Sequence, residues 1–336
     1  MKKFFYSVFA VATLLLATTS CSKEDDLTPG IGHDGKQVTY TVQIPGVEQS
    51  RAINPYNVNV GEGKLASKLV YAMYENGAHE KGVLATGFVN DADETKNETP
   101  DGQFTVSLTL AKNINYDILF MAYNPDNCAF DLDNGIDLKA LTIDKDNLKA
   151  NQEQYDAFVG KLVNQNIHSA SNHVELKRPF AQVNAATTAE DLEAVANLKS
   201  EVTKSKIVVY QAPTTLNIFD NSVSGTETLT YASEDILTKY NVDTYPKNED
   251  ITVNNISYKY LAMAYVLADA DGSTHDVEFT FYRSDGRDVS DLTVTGMPIQ
   301  ANFRTNIVGT LLTQSEDYNI EIDANFGQPD IIPVKV

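Results

Sequence analysis

VTYTVQI, at residues 38–44, alternates apolar and polar side chains without a break. Val38, Tyr40, Val42 and Ile44 fall on one side of an extended chain, and threonine and glutamine fall on the other. A period of two is typical of a strand with one buried face. A proline and a glycine follow directly. The sequence therefore predicts a strand that ends there and packs one face on a core.

Strand patterns recur along the rest of the chain. Residues 68–75 and 82–89 are predicted to pair as a hairpin across an Asn-Gly turn. The run ILFMAY at residues 118–123 is continuously apolar, as expected for a strand in the middle of a sandwich. Further strands are predicted at residues 104–110, 206–210, 215–219, 226–231, 258–267, 277–283, 292–295, 306–312 and 318–322.

One short helix interrupts this pattern in the second half of the chain. Thr187 and Glu190 have the spacing of a capping box, in which each side chain bonds to a backbone amide of the first turn. Leu192, Val195 and Ala196 then line one face of the predicted helix. Many short strands with a single helix indicate a mainly β fold built from sandwiches.

Length and composition are sufficient for two domains. The chain has 336 residues, of which 42% are apolar, so each half can build a sizeable core. The strand pattern blurs between Asp126 and Asn172. We therefore predict an N-terminal β-sandwich domain at residues 37–172 and a C-terminal β-sandwich domain at residues 173–336.

The first residues have the layout of a secretory signal peptide, predicted at residues 1–20. Lys2 and Lys3 precede an apolar run that is too short to span a membrane, and small polar residues lead to Cys21. The sequence TTSC at residues 18–21 resembles the lipobox of bacterial lipoproteins, although Thr18 stands where leucine is usual. This resemblance implies acylation of Cys21, and the alternative is an ordinary cysteine of a secreted protein.

Residues 21–36 are predicted to form a flexible tether, because Pro29 and several glycines interrupt any regular structure. The acidic stretch SKEDD at residues 22–26 resembles the signal that carries lipoproteins of Bacteroidetes to the outer face of the outer membrane. A charged, solvated tether is the alternative interpretation. Several acyl chains on one residue hold a protein on a bilayer durably, so outer-membrane lipid is a predicted partner.

Charge and cysteine usage exclude some classes of partner and bond. The chain carries 26 basic and 46 acidic residues, a net charge of −20, so nucleic acid is a poor partner. Once Cys21 is acylated, Cys128 is the only thiol left, and no internal disulfide can form. Cys128 is predicted to be a small buried or half-buried residue.

Four stretches together resemble the fimbrillin-like lipoproteins of Bacteroidetes: LKRPFAQVN at residues 176–184, TLNIFDNSVSG at 215–225, MPIQANFRTNIVGTLLT at 297–313 and YNIEIDANFGQPD at 318–330. The resemblance implies two transthyretin-like β-sandwich domains and a surface or fimbrial location. In polymerising members of that family, a trypsin-like protease removes the N-terminal strand after an arginine. The groove left behind accepts a strand from the next subunit.

The resemblance carries this mechanism over to particular residues. Arg51 is the arginine that directly follows the first predicted strand, and the alternative is an ordinary exposed loop arginine. Strand exchange would involve one strand at each end of the chain, through Val38, Tyr40, Val42, Ile44, Ile331, Ile332, Val334 and Val336. Pro333 interrupts the C-terminal strand, which is also short for a donor. A terminal or accessory subunit, or a non-polymerising member, therefore fits as well as a stalk subunit.

No motif for catalysis, metal binding or a cofactor stands out. His168 and His173 are not spaced for one helix face, and the sequences DLDNG at residues 131–135 and DADG at 269–272 are predicted to be acidic turns. We predict a non-enzymatic, surface-exposed structural or adhesive subunit of fimbriae that binds other fimbrial subunits and a host or bacterial surface ligand. The alternative is a non-polymerising lipoprotein that binds glycans or peptides for nutrient capture.

Overall fold

The computed structural model describes residues 35–45, 63, 65–90, 102–132, 136–169, 171–198, 201–236, 250–253, 256–314 and 316–324. Nearly all regular structure in these ranges is extended, and the single α-helix among them, α1, spans Ala189–Asn197. The mainly β fold with one short helix in the second half is therefore confirmed. The strands are β1 Lys36–Gln43, β2 Lys68–Glu75, β3 Ala85–Asn90, β4 Gln103–Leu110, β5 Tyr116–Tyr123, β6 Leu141–Thr142, β7 Phe158–Gln165, β8 His173–Glu175, β9 Phe180–Thr187, β10 Val202–Ala212, β11 Thr215–Asn217, β12 Ser222–Ser224, β13 Glu227–Asp235, β14 Asp250–Val253, β15 Ile256–Leu267, β16 Ser273–Arg283, β17 Asp288–Ile299, β18 Arg304–Gly309 and β19 Tyr318–Asp323.

Two sheets build the first half of the molecule. One has the strand order β4-β1-β8 and the other the order β3-β2-β5-β7. Their facing side chains form one apolar cluster, which includes Tyr40, Val42 and Phe104 from the first sheet and Leu69 and Phe120 from the second. We call this cluster the first core. The predicted hairpin of residues 68–75 and 82–89 is confirmed, because β2 and β3 pair antiparallel.

Two larger sheets build the second half. A five-stranded sheet has the order β14-β15-β9-β18-β19, and a four-stranded sheet has the order β13-β10-β16-β17. They enclose a second apolar cluster, the second core, which includes Phe180, Tyr265 and Phe279. A small sheet with the order β12-β11-β6 joins residues 141–142 to this half.

The sheet β3-β2-β5-β7 is covered on both faces. On β5, Ile118 and Phe120 belong to the first core, whereas Leu119 and Met121 belong to the second. β5 also lies between β2 and β7, so it has a hydrogen-bonded neighbour on each side. This position explains the continuous apolar run at residues 118–123 and confirms its prediction as a central strand.

Helix α1 is present, but the predicted capping box is wrong by one residue. Thr188 is the N-cap, and its hydroxyl accepts a hydrogen bond from the Asp191 amide at 3.2 Å. Thr187 is the last residue of β9 instead, and its hydroxyl donates to the Asp191 carboxylate at 2.5 Å. Two consecutive threonines fit the cap equally well in sequence, and the length of β9 decides which one serves.

The two cores do not follow the chain in a simple order. β8 lies just beyond Asn172 in sequence, yet it pairs with β1 in the first half. Phe130, Leu141 and Leu148 precede Asn172, yet they pack in the second core. The division of the chain into domains at residues 37–172 and 173–336 stays a prediction. The strands β6, β8, β12 and β14 were not predicted, because two to four residues are too few to show a period. β7 and β9, each eight residues long, are not among the predicted strands either.

Candidate strand-exchange groove

Strand β1 occupies the middle of its sheet. It pairs antiparallel with β4 along its full length, from Lys36 opposite Leu110 to Gln43 opposite Gln103. On its other side it pairs in parallel with β8, where Thr41, Val42 and Gln43 lie opposite the three residues of that strand. Removing β1 would leave two open strand edges that face each other across a gap one strand wide.

The predicted inward face of β1 is confirmed. Tyr40, Val42 and Ile44 are fully buried in the first core, and Val38 is half-buried against it. Across the antiparallel ladder Tyr40 lies opposite Val106, and both are buried. Each fully buried side chain of this size stabilises the fold by roughly 1.5–3 kcal/mol. The groove under β1 is therefore lined by apolar side chains that pack against the alternating apolar residues of β1.

The outward face of β1 is polar. The hydroxyls of Thr39 and Ser107 lie 3.1 Å apart on the exposed surface of the sheet. Lys36 donates to the backbone oxygen of Ile167 at 3.2 Å, and Gln43 donates to its neighbour Ile44 at 3.1 Å. The first two contacts are exposed and the third is part-buried, so they add less to the binding of β1 than its buried face does.

The β8 side of the groove is held by few bonds. The Thr41 amide donates to the backbone oxygen of Asn172 at 2.8 Å, and the Leu176 amide donates to that of Gln43 at 2.8 Å. The Asn172 side chain donates to the backbone oxygen of Thr39 at 2.7 Å. These bonds continue the short parallel ladder at both ends. Asn172 therefore holds β1 against the segment before β8 through hydrogen bonds of its backbone and its side chain.

One buried polar atom lies in the groove. The Tyr40 hydroxyl has no hydrogen-bond partner among the described residues. Burial raises the pKa of Tyr40 to about 12. A buried hydroxyl without a partner costs stability, so the groove does not require a tyrosine at this position.

Gly63, the first described residue after Pro45, lies beside the end of β1. Ile44 is followed by Pro45, and the next described residue is Gly63. A Cβ atom added at Gly63 would lie 3.2 Å from Cγ2 of Ile44 and 2.7 Å from Cζ of Phe158. Gly63 also has a φ of +76°, which favours glycine. Both ends of the intervening segment are thus fixed beside the groove.

Several residues singled out from the sequence lie outside the described residues. These are Cys21, Arg51, Ile331, Ile332, Val334 and Val336. The lipidation site, the processing site and the C-terminal strand therefore stay predictions. Cys128 is half-buried, as predicted, and burial raises the pKa of its thiol to about 12. In the turn at residues 269–272, the Asp269 carboxylate accepts a hydrogen bond from the Asp271 amide at 3.1 Å.

Three of the motifs that resemble fimbrillins contribute, with Asp156, to a buried polar network. Arg178 donates to both carboxylate oxygens of Asp156, at 2.8 and 3.0 Å. Arg304 donates to the Gln182 side chain at 2.5 Å and to the Asp323 carboxylate at 3.3 Å. We call these five residues the polar network. Burial raises the pKa of Asp156, and the guanidinium of Arg178 opposes that shift.

The sequence predicted neither the polar network nor the role of β8. Charged residues in strands are normally exposed, so a single sequence gives no sign that Arg178 and Arg304 are buried. β8 has only three residues, which are too few to establish a period in the sequence. Its parallel partner, β1, lies more than a hundred residues earlier in the chain, so only the fold brings them together.

No helix within the described ranges has the length and apolar character that a bilayer crossing requires. No curated protein matches the sequence. The fold is similar to that of the tip fimbrial protein Mfa3 from Porphyromonas gingivalis with C-terminal truncation. The identity is 10% and the TM-score 0.45, and the match covers 86% of this chain and 99% of that one.

A fimbrial assembly protein from Parabacteroides distasonis is similar at 12% identity and a TM-score of 0.44, with 86% of this chain and 96% of that one covered. Both are fimbrial proteins of Bacteroidetes, the group to which the sequence resemblance pointed. Because both TM-scores lie below 0.5, we base the proposed function on the chain's own residues. A sequence profile described as Family of unknown function (DUF6562) matches residues 32–335, so the chain belongs to that family.

Proposed function

We propose that this chain is an exported surface lipoprotein that serves as a structural or adhesive subunit of fimbriae and assembles by strand exchange at the groove under β1. Its role in this proposal is non-catalytic, and its partners are other fimbrial subunits and outer-membrane lipid. The observation that carries the proposal is the position of β1: a single terminal strand that fills the middle of a sheet and contributes Tyr40, Val42 and Ile44 to the first core.

A central strand near the chain terminus suits exchange for a topological reason. β1 is connected to the rest of the fold through the segment that contains Arg51. Cleavage after Arg51 would leave β1 attached only to the preceding tether. β1 would then be held in the groove by non-covalent contacts alone, and an incoming strand can replace these contacts one by one.

The buried face of β1 also predicts that strand exchange follows cleavage as a separate step. Three fully buried side chains and an eight-residue ladder hold β1 in place, so a cut by itself does not empty the groove. A cleaved subunit therefore remains folded and monomeric until a competing strand arrives. Exchange requires a strand whose alternate apolar side chains match the pockets of Val38, Tyr40, Val42 and Ile44.

The test begins with cleavage of the full chain by an arginine-specific protease. Arg287 lies in the turn between β16 and β17 with its side chain 77% exposed, and Arg283, at the end of β16, is 32% exposed, so an Arg283→Gln, Arg287→Gln background removes both competing sites. Arg178 and Arg304 are buried and therefore protected in the folded protein. Intact mass should show one cut, after Arg51, and Arg51→Gln should abolish it. The cut protein should elute as a monomer at the volume of the uncut one.

Exchange is then measured with a labelled synthetic peptide that has the sequence of residues 36–45. The peptide should bind the cleaved protein and displace β1, and it should not bind the Arg51→Gln variant. A matched peptide with lysine at the position of Val42 should not bind, because it would bury a charge in the first core. Failure of the cleaved protein to take up the first peptide would contradict strand exchange at this groove.

The protein recovered from its own cells gives an independent readout. A chain that begins at Ala52 would support maturation at Arg51, and an acylated chain that begins at Cys21 would instead support an anchor or a non-polymerising subunit. Denaturant-free gels of the same material should show a ladder of oligomers if subunits exchange strands. A chain that begins at Ala52 without such a ladder would show that cleavage after Arg51 takes place without polymerisation.

A further inference from the structure

A cavity of about 400 Å³ lies on the face of β2 and β3 that turns away from the first core. Val70 and Ala72 of β2 line it, and both belong to the second core. Thr86 and Phe88 of β3 line it as well. Small-molecule sites in proteins have volumes of roughly 300–1,000 Å³, so this cavity has room for a small ligand.

Apolar side chains make up much of the cavity wall. Leu132, Ile136 and Leu138, from the segment between β5 and β6, line the cavity together with the strands. The Phe88 ring, which is 55% exposed, adds an aromatic surface. Such side chains form no hydrogen bonds with a ligand, and they gain free energy by covering its hydrocarbon part. The wall therefore favours a ligand with an apolar or aromatic body.

Two polar side chains line the cavity as cross-strand neighbours. Lys68 of β2 lies directly opposite Tyr123 of β5 in the antiparallel ladder, and both line the cavity. Residues in this relation have Cβ atoms about 4.5–5.5 Å apart. The Lys68 Nζ atom also lies 4.6 Å from the centroid of the Phe88 ring. Lys68 therefore brings a positive charge to the aromatic wall, next to a phenol hydroxyl.

Both polar groups still have hydrogen bonds to give. Lys68 makes no ion pair with a described residue. Tyr123 is 5% exposed, and its hydroxyl has no hydrogen-bond partner within the described ranges. Burial raises the pKa of Tyr123 to about 12, so at neutral pH this hydroxyl keeps its proton and can donate it. A buried donor without an acceptor costs free energy, which a ligand that accepts can recover.

The charge of the cavity favours an anion. None of the described residues that line it is acidic, and Asp131 and Asp137, the acids next to Leu132 and Ile136 in sequence, do not line it. The whole chain has a net charge of −20. However, exposed charges farther away than about 8 Å are largely screened at physiological ionic strength. The Lys68 ammonium therefore determines which charge the cavity prefers.

We propose that this cavity binds a small carboxylate with an apolar or aromatic body. The carboxylate accepts hydrogen bonds from Lys68 and Tyr123, and the body packs against Phe88 and the apolar side chains of the wall. The inference goes beyond the proposed function and does not rest on it, because neither β1 nor Arg51 takes part. A chain that never exchanges its first strand would still bind this ligand.

The first test is isothermal titration calorimetry on the full chain with Cys21→Ser, and the probe is phenylpropionate. We expect saturable binding. Phenylpropionamide has the same body without the charge, and it should bind about tenfold more weakly or worse. Glucuronate carries its carboxylate on a polar body, and it should also bind about tenfold more weakly or worse. Equal affinity for the amide, or tighter binding of glucuronate, would overturn the proposal.

Variants then locate the charge that the ligand meets. Lys68→Met keeps the length of the side chain, and it should weaken phenylpropionate binding by about tenfold or more without affecting the amide. Tyr123→Phe should weaken it by about threefold to tenfold. The matched control is Lys177→Met, which changes the net charge equally at an exposed position outside the cavity. Equal losses from the two lysine variants would refute the role of Lys68.

Fluorescence gives a readout that leaves Lys68 and Tyr123 in place. The chain has no tryptophan, so Phe88→Trp introduces a single indole at the cavity. Phenylpropionate should change its emission and saturate at the concentrations found by calorimetry. Val163→Trp is the control, because Val163 is 49% exposed on β7 and does not line the cavity. An unchanged emission from Phe88→Trp, or no saturable binding of phenylpropionate by either method, would overturn the proposal.

Discussion

Among the described strands, each half contains one parallel pair, and the two pairs are held differently. β1 and β8 pair over three residues, and only the central pair, Val42 and Val174, is apolar and buried in the first core. β9 and β18 pair over six residues, and their side chains bond to each other across the ladder. Arg304 donates to Gln182 at 2.5 Å, and Asn184 donates to Asn306 at 2.8 Å.

This difference bears on which half can exchange a strand. Apolar packing has no preferred direction, so any strand with matching size and alternation can fill the groove of β1. Hydrogen bonds between buried polar side chains fix both partner and register, and a mismatched strand would leave buried groups unpaired. The first half is therefore suited to replacement of a strand, and the second half is suited to permanence.

The largest effect should come from breaking the polar network in the second half. Arg178→Met leaves the Asp156 carboxylate buried without its guanidinium, so we expect a loss of about 3–5 kcal/mol in the free energy of unfolding in urea. The matched control is Arg283→Met, because Arg283 pairs with Asp285 at 3.2 Å on a partly exposed surface. The control should lose less than about 1 kcal/mol. Equal losses would show that the buried Arg178–Asp156 pair contributes no more to stability than an exposed pair does.

In the first half, the size of the apolar side chain should matter more than its exact shape. Ile44→Ala should cost about 2–5 kcal/mol in urea unfolding, because it opens a cavity in the first core. Ile44→Leu should cost less than about 1.5 kcal/mol, since volume is conserved. Thr39→Ala, on the exposed face of β1, should change stability by less than about 0.5 kcal/mol. A large loss from Ile44→Leu would show that the groove demands exact shape.

Asp117 forms a buried polar contact in the first half, and its contribution to stability should depend on pH in the acid range. Burial alone raises the pKa of Asp117, but hydrogen bonds from the Asn76 side chain, the Asn164 amide and His79 outweigh it, and the pKa falls below its usual value. A lowered pKa means that the stabilisation is present above about pH 4 and disappears as pH falls through the folded-state pKa. Asp117→Asn should flatten this acid dependence and cost about 1–3 kcal/mol at neutral pH. Urea titrations between about pH 5 and pH 2 measure it, and parallel curves for the two proteins would contradict the assignment.

The smallest effect should distinguish an unpaired buried tyrosine hydroxyl from a paired one by its sign. Tyr40→Phe removes a buried hydroxyl that has no partner among the described residues, so stability should stay equal or rise by up to about 1 kcal/mol. Tyr231→Phe in the second half removes a hydroxyl that donates to the backbone oxygen of Tyr265 at 2.6 Å. That variant should lose about 1–3 kcal/mol. Losses of the same sign in both variants would show that the Tyr40 hydroxyl is satisfied.

Much of the strand layout could be predicted from the sequence, because burial of one face leaves a period of two in the chain. Val38 to Ile44 shows that period, and β1 is found there with its apolar residues inward. The hairpin of β2 and β3 and the central strand β5 follow from turn residues and from a continuous apolar run. Thr188 shows the limit, since the choice between two adjacent threonines as the cap depended on where β9 ended.

The sequence by itself determined most of the extended segments and which face of β1 is apolar, and its net charge of −20 predicts that nucleic acid is a poor partner. The tertiary structure decided what those segments pack against. Only in three dimensions does β1 lie between β4 and β8, does Arg178 meet Asp156, and does β3 end as an uncharged edge. Periodicity is a local property that each segment carries in its own residues, whereas pairing between distant strands depends on which contacts bury the most apolar surface together.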